Sequence, residues 1–364
     1  MIYAAKIDFH SHILTSAYYE YLKKYEDPRP DDFDTPAWSP DGHLRLMDRM
    51  GVTFSALSVS SPNLSRAPSG ERTDYARRIN EEALGFVNEH LDRLGLFVTL
   101  PLPDVEDAIQ MAEHFLPIDG VDGIGLTTNY GGVYLGDPRL DPLMRVLDDA
   151  GTAVCVHPTK PAGLPDDVNP GLPIPVMEFL MDTTRAFTSL VWNECFDRFP
   201  HIKWIFPHGA SFIPILSDRF DSFSILLKAQ NPGKKLDFFH AMRHCYFDLA
   251  GFSLPKQIAD MKQNIPVENF LYGSDCPYTP DAACMALAGN LASTPLLTDE
   301  EKRKMFTLNA VQLIPRLRKI LQIQPQIPDA VIRSQISRPR QIFSGVLNRA
   351  IGGCYNLILR LKRI

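Results

Sequence analysis

Five side chains able to bind a metal stand at the ends of short apolar runs in this 364-residue sequence. His10 and His12 sit in KIDFHSHI, His157 in TAVCVHP, His208 in IKWIFPHG and Asp275 in FLYGSDCP. Imidazole and carboxylate are the donors that Zn²⁺ or Mn²⁺ takes. Residues two apart on a strand share a side, so His10 and His12 can face one cation. Asp8 is expected on that same face, either supporting a ligand or bonded to backbone. His157, stopped by Pro158, and Asp275 complete a four-ligand set, because a carboxylate buried there without metal or hydrogen bonds is costly. His208 is then a fourth histidine ligand or, the reading favoured, an unligated acid–base group. The fourth run, GIGLTT, ends in Thr127 and Thr128 rather than lysine, so one cation is expected and not a bridged pair.

Eight runs are read as strands: Lys6–His10, Thr53–Val59, Leu96–Leu100, Gly123–Thr127, Thr152–Val156, His201–Pro207, Cys245–Ala250 and Asn269–Gly273. Their continuous apolar character is that of parallel strands covered on both faces. Helical patterns fall between them, at Asp41–Met50, Asp74–Arg93, Val105–Phe115, Leu140–Ala150, Met181–Phe199, Pro255–Met261 and Thr298–Leu313. Ser39-Pro40 and Thr298-Asp-Glu-Glu301 read as helix starts. The alternation predicts a TIM-like (β/α)8 barrel over residues 1–317. The metal-bearing strand ends then share one rim, and the loops Ser60–Arg72, Thr128–Pro142 and Pro158–Ile174 wall a pocket. No GxGxxG motif competes for a dinucleotide fold.

The net charge of −6 gives no basic footprint for nucleic acid. Six scattered cysteines without a CxxC, and an early run of polar residues at the N-terminus, predict reduced thiols in a cytoplasmic protein. Charge is unevenly distributed. The first 315 residues carry a net −15, whereas Arg316–Ile364 holds ten basic residues and one acid. Residues 318–364 are therefore read as a basic extension: a packed appendage, a dimerisation arm, or a weak membrane-surface contact too short and broken to span a bilayer.

The order HxH, His, His, Asp on eight strands resembles the amidohydrolase superfamily. Within it, DFHSHI, FDRFPHIKWIFPHG, GSDCPY and LNAVQLIPRL are similar to the metal-dependent nonoxidative decarboxylases, among them the aminocarboxymuconate-semialdehyde, γ-resorcylate, 5-carboxyvanillate and 6-methylsalicylate enzymes. The resemblance implies His10, His12, His157 and Asp275 as ligands of one divalent metal, with His208 beside them. It also implies that Arg219 crosses a homodimer interface to the partner's substrate carboxylate. His10, where some relatives have Glu, leans toward Zn²⁺ over Mn²⁺. The expected substrate is a small aromatic acid with an ortho hydroxyl.

Decarboxylation requires a proton at the ring carbon that bears the carboxylate, and Asp275 is the leading donor, with His208 as alternative. Arg219 or Arg45 could orient the carboxylate. Tyr130, Tyr134, Phe212 and Tyr278 are candidate aromatic walls, and His43 a candidate at the entrance. The same ligands could activate water against a lactone, ester or amide. A noncatalytic, metal-stabilised binding protein is the third reading.

Overall fold

The computed structural model describes residues 6–323 other than 166, 169 and 170. Eight parallel strands form one sheet in chain order: β1 (Lys6–His12), β2 (Val52–Ser58), β3 (Leu94–Thr99), β4 (Val121–Thr127), β5 (Ala153–His157), β6 (Lys203–Phe206), β7 (Tyr246–Asp248) and β8 (Phe270–Leu271). Bridges Asp8–Tyr272 and Ser11–Cys276 join the last strand's exit to β1 and close the barrel. Each of the eight expected runs contributes one strand. Helices cover the outside, so the sheet is apolar on both faces, as continuous apolar runs require.

Ile7, Phe9, Phe54, Ala56, Phe97, Ala153, Cys155, Ile205 and Leu271 pack together inside the barrel. Below them Ala310, Leu313, Ile314, Leu317 and Ile320 plug the bottom. There Arg316 Nε and Nη2 donate to the two oxygens of buried Asp122 at 2.6 and 2.7 Å. Nη1 and Nη2 also donate to the carbonyls of Leu91 and Leu94 at 2.7 and 3.0 Å. Four of the five N–H donors of this guanidinium are used, which is what makes a desolvated ion pair tolerable.

The helix Pro40–Met50 shows how sequence sets an element's limits. Ser39 Oγ accepts from Gly42 N at 3.2 Å, Pro40 occupies the first turn, and Gly51 ends the helix at φ 69. That left-handed residue suits glycine and turns the chain directly into β2. At the other end, Thr298 and Glu301 form the expected capping box. The helix beyond it is interrupted by a π-helical stretch at Lys304–Leu308. The helix expected to begin at Met181 starts at Ile174, since prolines in a first turn need no N–H partner.

Helices at Ser16–Tyr25, Ile213–Gln230, Phe238–His244 and Asp281–Ser293 were not expected from the pattern. Ile213–Gln230 leaves Ile215, Phe223, Ile225 and Leu226 in solvent, so its apolar residues do not trace one stripe. The closing helix Leu317–Ile323 straddles the expected boundary. The remainder of the basic extension, 324–364, lies outside the described residues, with the dimer-arm and membrane-surface readings that rest on it.

Candidate metal centre and active-site cavity

Strand alternation brings the ligand set to one rim. Ala153 and Cys155 point into the barrel, and His157 is the next residue of that series. On β1 the inward residues begin as Ile7 and Phe9, which alone would turn His10 and His12 outward. The register slips between Asp8 and Ser11, where three residues of β1 oppose two of β2. This bulge re-aims the strand. His12 then lies beside Ser58, in phase with the inward Phe54 and Ala56.

The bulge also corrects the expected face of Asp8, while its expected alternative of bonding to backbone holds. It does not share the imidazoles' face; its Oδ1 accepts from the backbone N–H groups of His10 and Ser274, both at 3.1 Å. Burial pushes its carboxyl up to about 7 against those bonds. Asp8 therefore braces the closure between β1 and the segment after β8.

One ligand atom from each of His10, His12, His157 and Asp275 lies within 4.8 Å of the others. Asp275 Oδ1 is 3.3 Å from Nε2 of both His10 and His12. Two ligands on one tetrahedral cation, each about 2.1 Å from it, lie roughly 3.4 Å apart. Neither Nε2 is aligned to hydrogen-bond, and both are buried without a partner.

The opposite ring nitrogens are all occupied. His10 Nδ1 donates to Asp248 Oδ2 at 3.0 Å, His12 Nδ1 to Ser58 O at 3.3 Å, and His157 Nδ1 to Pro158 O at 2.7 Å. Acceptors at Nδ1 keep the proton there and direct each Nε2 lone pair toward a cation, with Ser60 Oγ 3.4 Å from Nε2 of His157. The donor set fits one divalent metal.

The three imidazoles differ: burial lowers His10, but the charge and hydrogen bond of Asp248 and the contact with Asp275 outweigh it and raise His10 well above the usual range, so it must release a proton for a cation to bind. Burial holds His157 well below the usual imidazole range and lowers His12 as well, so both stay neutral, the form that binds metal. Burial pushes the Asp275 carboxyl up, but the His10 and His12 imidazoles 3.3 Å from Oδ1 outweigh it and hold it well below the carboxylate range. Asp248 is lowered in the same way by His10. Its other oxygen, Oδ1, accepts from the N–H of His208 and Ala250 at 3.2 and 3.0 Å. Asp248 thus orients a ligand and the loop bearing His208 together.

His208 lies outside the four-ligand set. Its ring centroid is 4.9 Å from that of His10, and its Nδ1 is buried without a partner. Burial, then the His10 charge, brings its pKa down to about 4. Its φ of 55 and the 60 of Asp275 place both in the left-handed region, a strained backbone kept where surrounding contacts fix it. Gly273 is required nearby: a Cβ there would lie 2.6 Å from His10 Cβ.

A cavity of about 500 Å³ opens over His157, His208 and Asp275. Phe33, Val176, Phe179, Leu180, Phe252 and Ala283 supply apolar wall. Phe179 stands edge-on to His157, with ring centroids 5.6 Å apart. Tyr278 lines the cavity and packs against His12 at 5.6 Å.

The other expected wall residues do not line it. Tyr130 is buried behind β4, where its hydroxyl accepts from Thr127 N at 2.9 Å. Tyr134 donates to buried Asp182 at 2.5 Å, tying the hairpin Asn129–Tyr134 to the helix Ile174–Trp192. Phe212 N donates to Thr184 Oγ1 at 3.3 Å, and its ring is not among the lining groups.

Arg45 is corrected too. Leu46, Met47 and Met50 anchor the helix Pro40–Met50 inward, which leaves Arg45 exposed and away from the cavity. His43 lies behind β2, with Nε2 3.2 Å from Ser55 Oγ. Arg219 is exposed on the helix Ile213–Gln230, stacked 5.0 Å over the Phe223 ring.

The amidohydrolase family model matches residues 7–316. The chain belongs to the amidohydrolase family. It is 31% identical over 328 residues to a decarboxylase of Aspergillus niger, spanning 85% of this chain and 88% of that protein. It is 28% identical to the 6-methylsalicylic acid decarboxylase of Penicillium expansum, across 87% of this chain and 98% of the relative. A crystal structure of an amidohydrolase superposes with a TM-score of 0.81 at 36% identity, covering 85% of this chain and 99% of that one. A dihydroxybenzoic acid decarboxylase from Polaromonas, solved with manganese and 2-nitroresorcinol, shares the fold with a TM-score of 0.73 at 20% identity, over 88% and 100% of the two chains.

Asp248, bonded to His10 and to the loop bearing His208, is a site residue that the sequence pattern did not single out. A carboxylate ending the apolar run CYFDLA is the same signal that marked Asp275.

Proposed function

We propose that this chain is a metal-dependent nonoxidative decarboxylase of a small aromatic acid carrying an ortho hydroxyl. One observation carries the reading: four convergent ligand atoms beneath an apolar cavity of about 500 Å³, in a chain similar to decarboxylases along nearly its whole described length. His10, His12, His157 and Asp275 would hold one divalent cation, with Zn²⁺ suited to three imidazoles and a carboxylate and Mn²⁺ the alternative. When bound, it supplies a Lewis acid and an anchor for substrate oxygen.

The chain's own groups must move one proton. Asp275 reaches the cavity and accepts from Thr279 Oγ1 at 3.0 Å through Oδ2. It takes the phenolic proton of the substrate and delivers it to the ring carbon bearing the carboxylate. The electrons of the carbon–carboxylate bond then return to the ring, releasing carbon dioxide and restoring aromaticity. His208, neutral at physiological pH, hydrogen-bonds through its free Nδ1 and steadies that proton. The apolar walls exclude water and strengthen each of these contacts.

The described lining of the cavity contains no Arg or Lys. A substrate carboxylate therefore needs a cation from elsewhere, and Arg219 of a second copy is the candidate. Ile215 and Ile225 on the same helix are 69% and 70% exposed, which suits a subunit interface. A homodimer with shared sites follows, working in a reducing cytoplasm that suits the buried free thiols Cys155, Cys195, Cys245, Cys276 and Cys284.

The test is carbon dioxide release from an ortho-hydroxybenzoate panel in deuterated solvent. One deuterium at the vacated carbon supports the reading. Turnover of lactones or esters without carbon dioxide overturns it. Verified heterodimers of Arg219→Ala with Asp275→Asn should regain activity if sites are shared.

A further inference from the structure

One titratable group in the cavity has no part in this chemistry. Asp31 shares the lining with Asp275, and these are the two acids among the lining residues. It lies in the turn Pro30–Asp32 at φ 54, followed by Asp32 at φ 63. Two successive left-handed residues without glycine are unfavourable for L side chains and persist where surroundings over-determine them. Burial pushes the Asp31 carboxyl up to about 6, against a hydrogen bond from Ser61 and the Lys160 charge nearby. Tyr278 ties it to the reaction end: its hydroxyl is pushed up by burial and then by the charges of both Asp31 and Asp275.

Ser61 supplies one hydrogen bond to Asp31 and pairs its Oγ with Thr159 Oγ1 at 2.8 Å, while Gln257 Nε2 donates to His208 O at 2.6 Å and Thr279 donates to Asp275, so these last two are committed elsewhere. An ionised carboxylate accepts hydrogen bonds only, and in an apolar wall it gains from any donor the ligand brings. A substrate carboxylate is repelled by it; a phenolic hydroxyl is attracted.

We propose that Asp31 is a specificity-determining residue that accepts a hydrogen bond from a second hydroxyl on the substrate ring. The preferred class is then a dihydroxybenzoate, one hydroxyl beside the carboxylate at the ligand set and another reaching Asp31. This rests on the decarboxylase reading for the ligand's class, while binding can be scored without turnover.

The experiment compares salicylate with its two analogues carrying a second hydroxyl para or meta to the carboxylate. Dissociation constants are measured by calorimetry on metal-loaded protein, with carbon dioxide release recorded separately. A hydrogen bond to a charged acceptor corresponds to a preference of about ten- to a hundred-fold. At least one analogue should show it, Asp31→Ala should bring the ratio near one, and Asp31→Asn should leave an intermediate ratio. Equal affinities in the wild type, no measurable binding of any of the three, or an unchanged ratio in both variants overturns the proposal. Binding with the expected ratios but no carbon dioxide release overturns the decarboxylase reading and leaves the Asp31 assignment standing. The Asn variant, nearly isosteric, keeps the test decisive if the Ala variant does not fold.

Discussion

Replacing Asp248 with Asn isolates the role of a residue that touches no cation. Asp248 is fully buried, and Oδ2 is 3.0 Å from His10 Nδ1, while Oδ1 holds the N–H groups of His208 and Ala250. The substitution preserves shape and one good acceptor. Three donors now compete for that oxygen, and the new NH₂ must face either two backbone N–H groups or the imidazole N–H. The first alternative leaves buried donors opposed. The second drives the His10 proton to Nε2, the nitrogen a cation needs. Loss of such a supporting carboxylate costs about 10–100-fold in metal affinity or activity. That range corresponds to about 1.4–2.8 kcal/mol. The assay is competition for Zn²⁺ against a chromophoric chelator at fixed pH, followed by kcat/KM on metal-saturated protein. Affinity and kcat/KM should both fall, with the thermal midpoint measured alongside. A metal affinity within about threefold of wild type would refute the claim that Asp248 sets the His10 tautomer.

His208→Asn should leave metal affinity nearly unchanged while lowering kcat by about 10²–10⁴-fold, as for a lost acid–base group; a parallel loss of metal would make His208 a ligand. Gly273→Ala should weaken metal binding, read by the same chelator competition, because its Cβ would lie 2.6 Å from His10 Cβ and 3.1 Å from Asp248 Oδ1. Arg316→Met strands buried Asp122 and should destabilise the fold by about 3–5 kcal/mol in denaturant unfolding; a change below about 1 kcal/mol would show that the pair is not needed to close the barrel. Ile225→Asp should shift the protein toward monomer in sedimentation, with activity falling in step, if the exposed helix face is the subunit interface.

The barrel was legible because parallel strands buried on both sides must be apolar throughout, and eight such runs punctuated by helical spacing admit few alternatives. The cluster was legible because His10, His12, His157 and Asp275 interrupt those runs where polar side chains are otherwise costly, and the fold brings the four together as a possible metal site. The bulge in β1 was not, since a two-residue period says nothing about a register slip that only the partner strand imposes. Asp8 was assigned the wrong face for that reason. Arg45 and Phe212 failed differently: proximity in sequence to a strand end does not say which way a helix or loop faces. The helix Ile213–Gln230 escaped notice because its exposed apolar residues blur the amphipathic pattern on which such readings rely.

Anomalous diffraction from crystals grown with Mn²⁺ or Zn²⁺ and a dihydroxybenzoate tests the account most directly. One peak per chain is expected, within bonding distance of His10 Nε2, His12 Nε2, His157 Nε2 and an Asp275 carboxylate oxygen, at about 2.0–2.2 Å. His208 should stand clear of it, with density for a bound hydroxybenzoate reaching toward Asp31. No peak there, a second cation beside the first, or a cation held without Asp275 would contradict it.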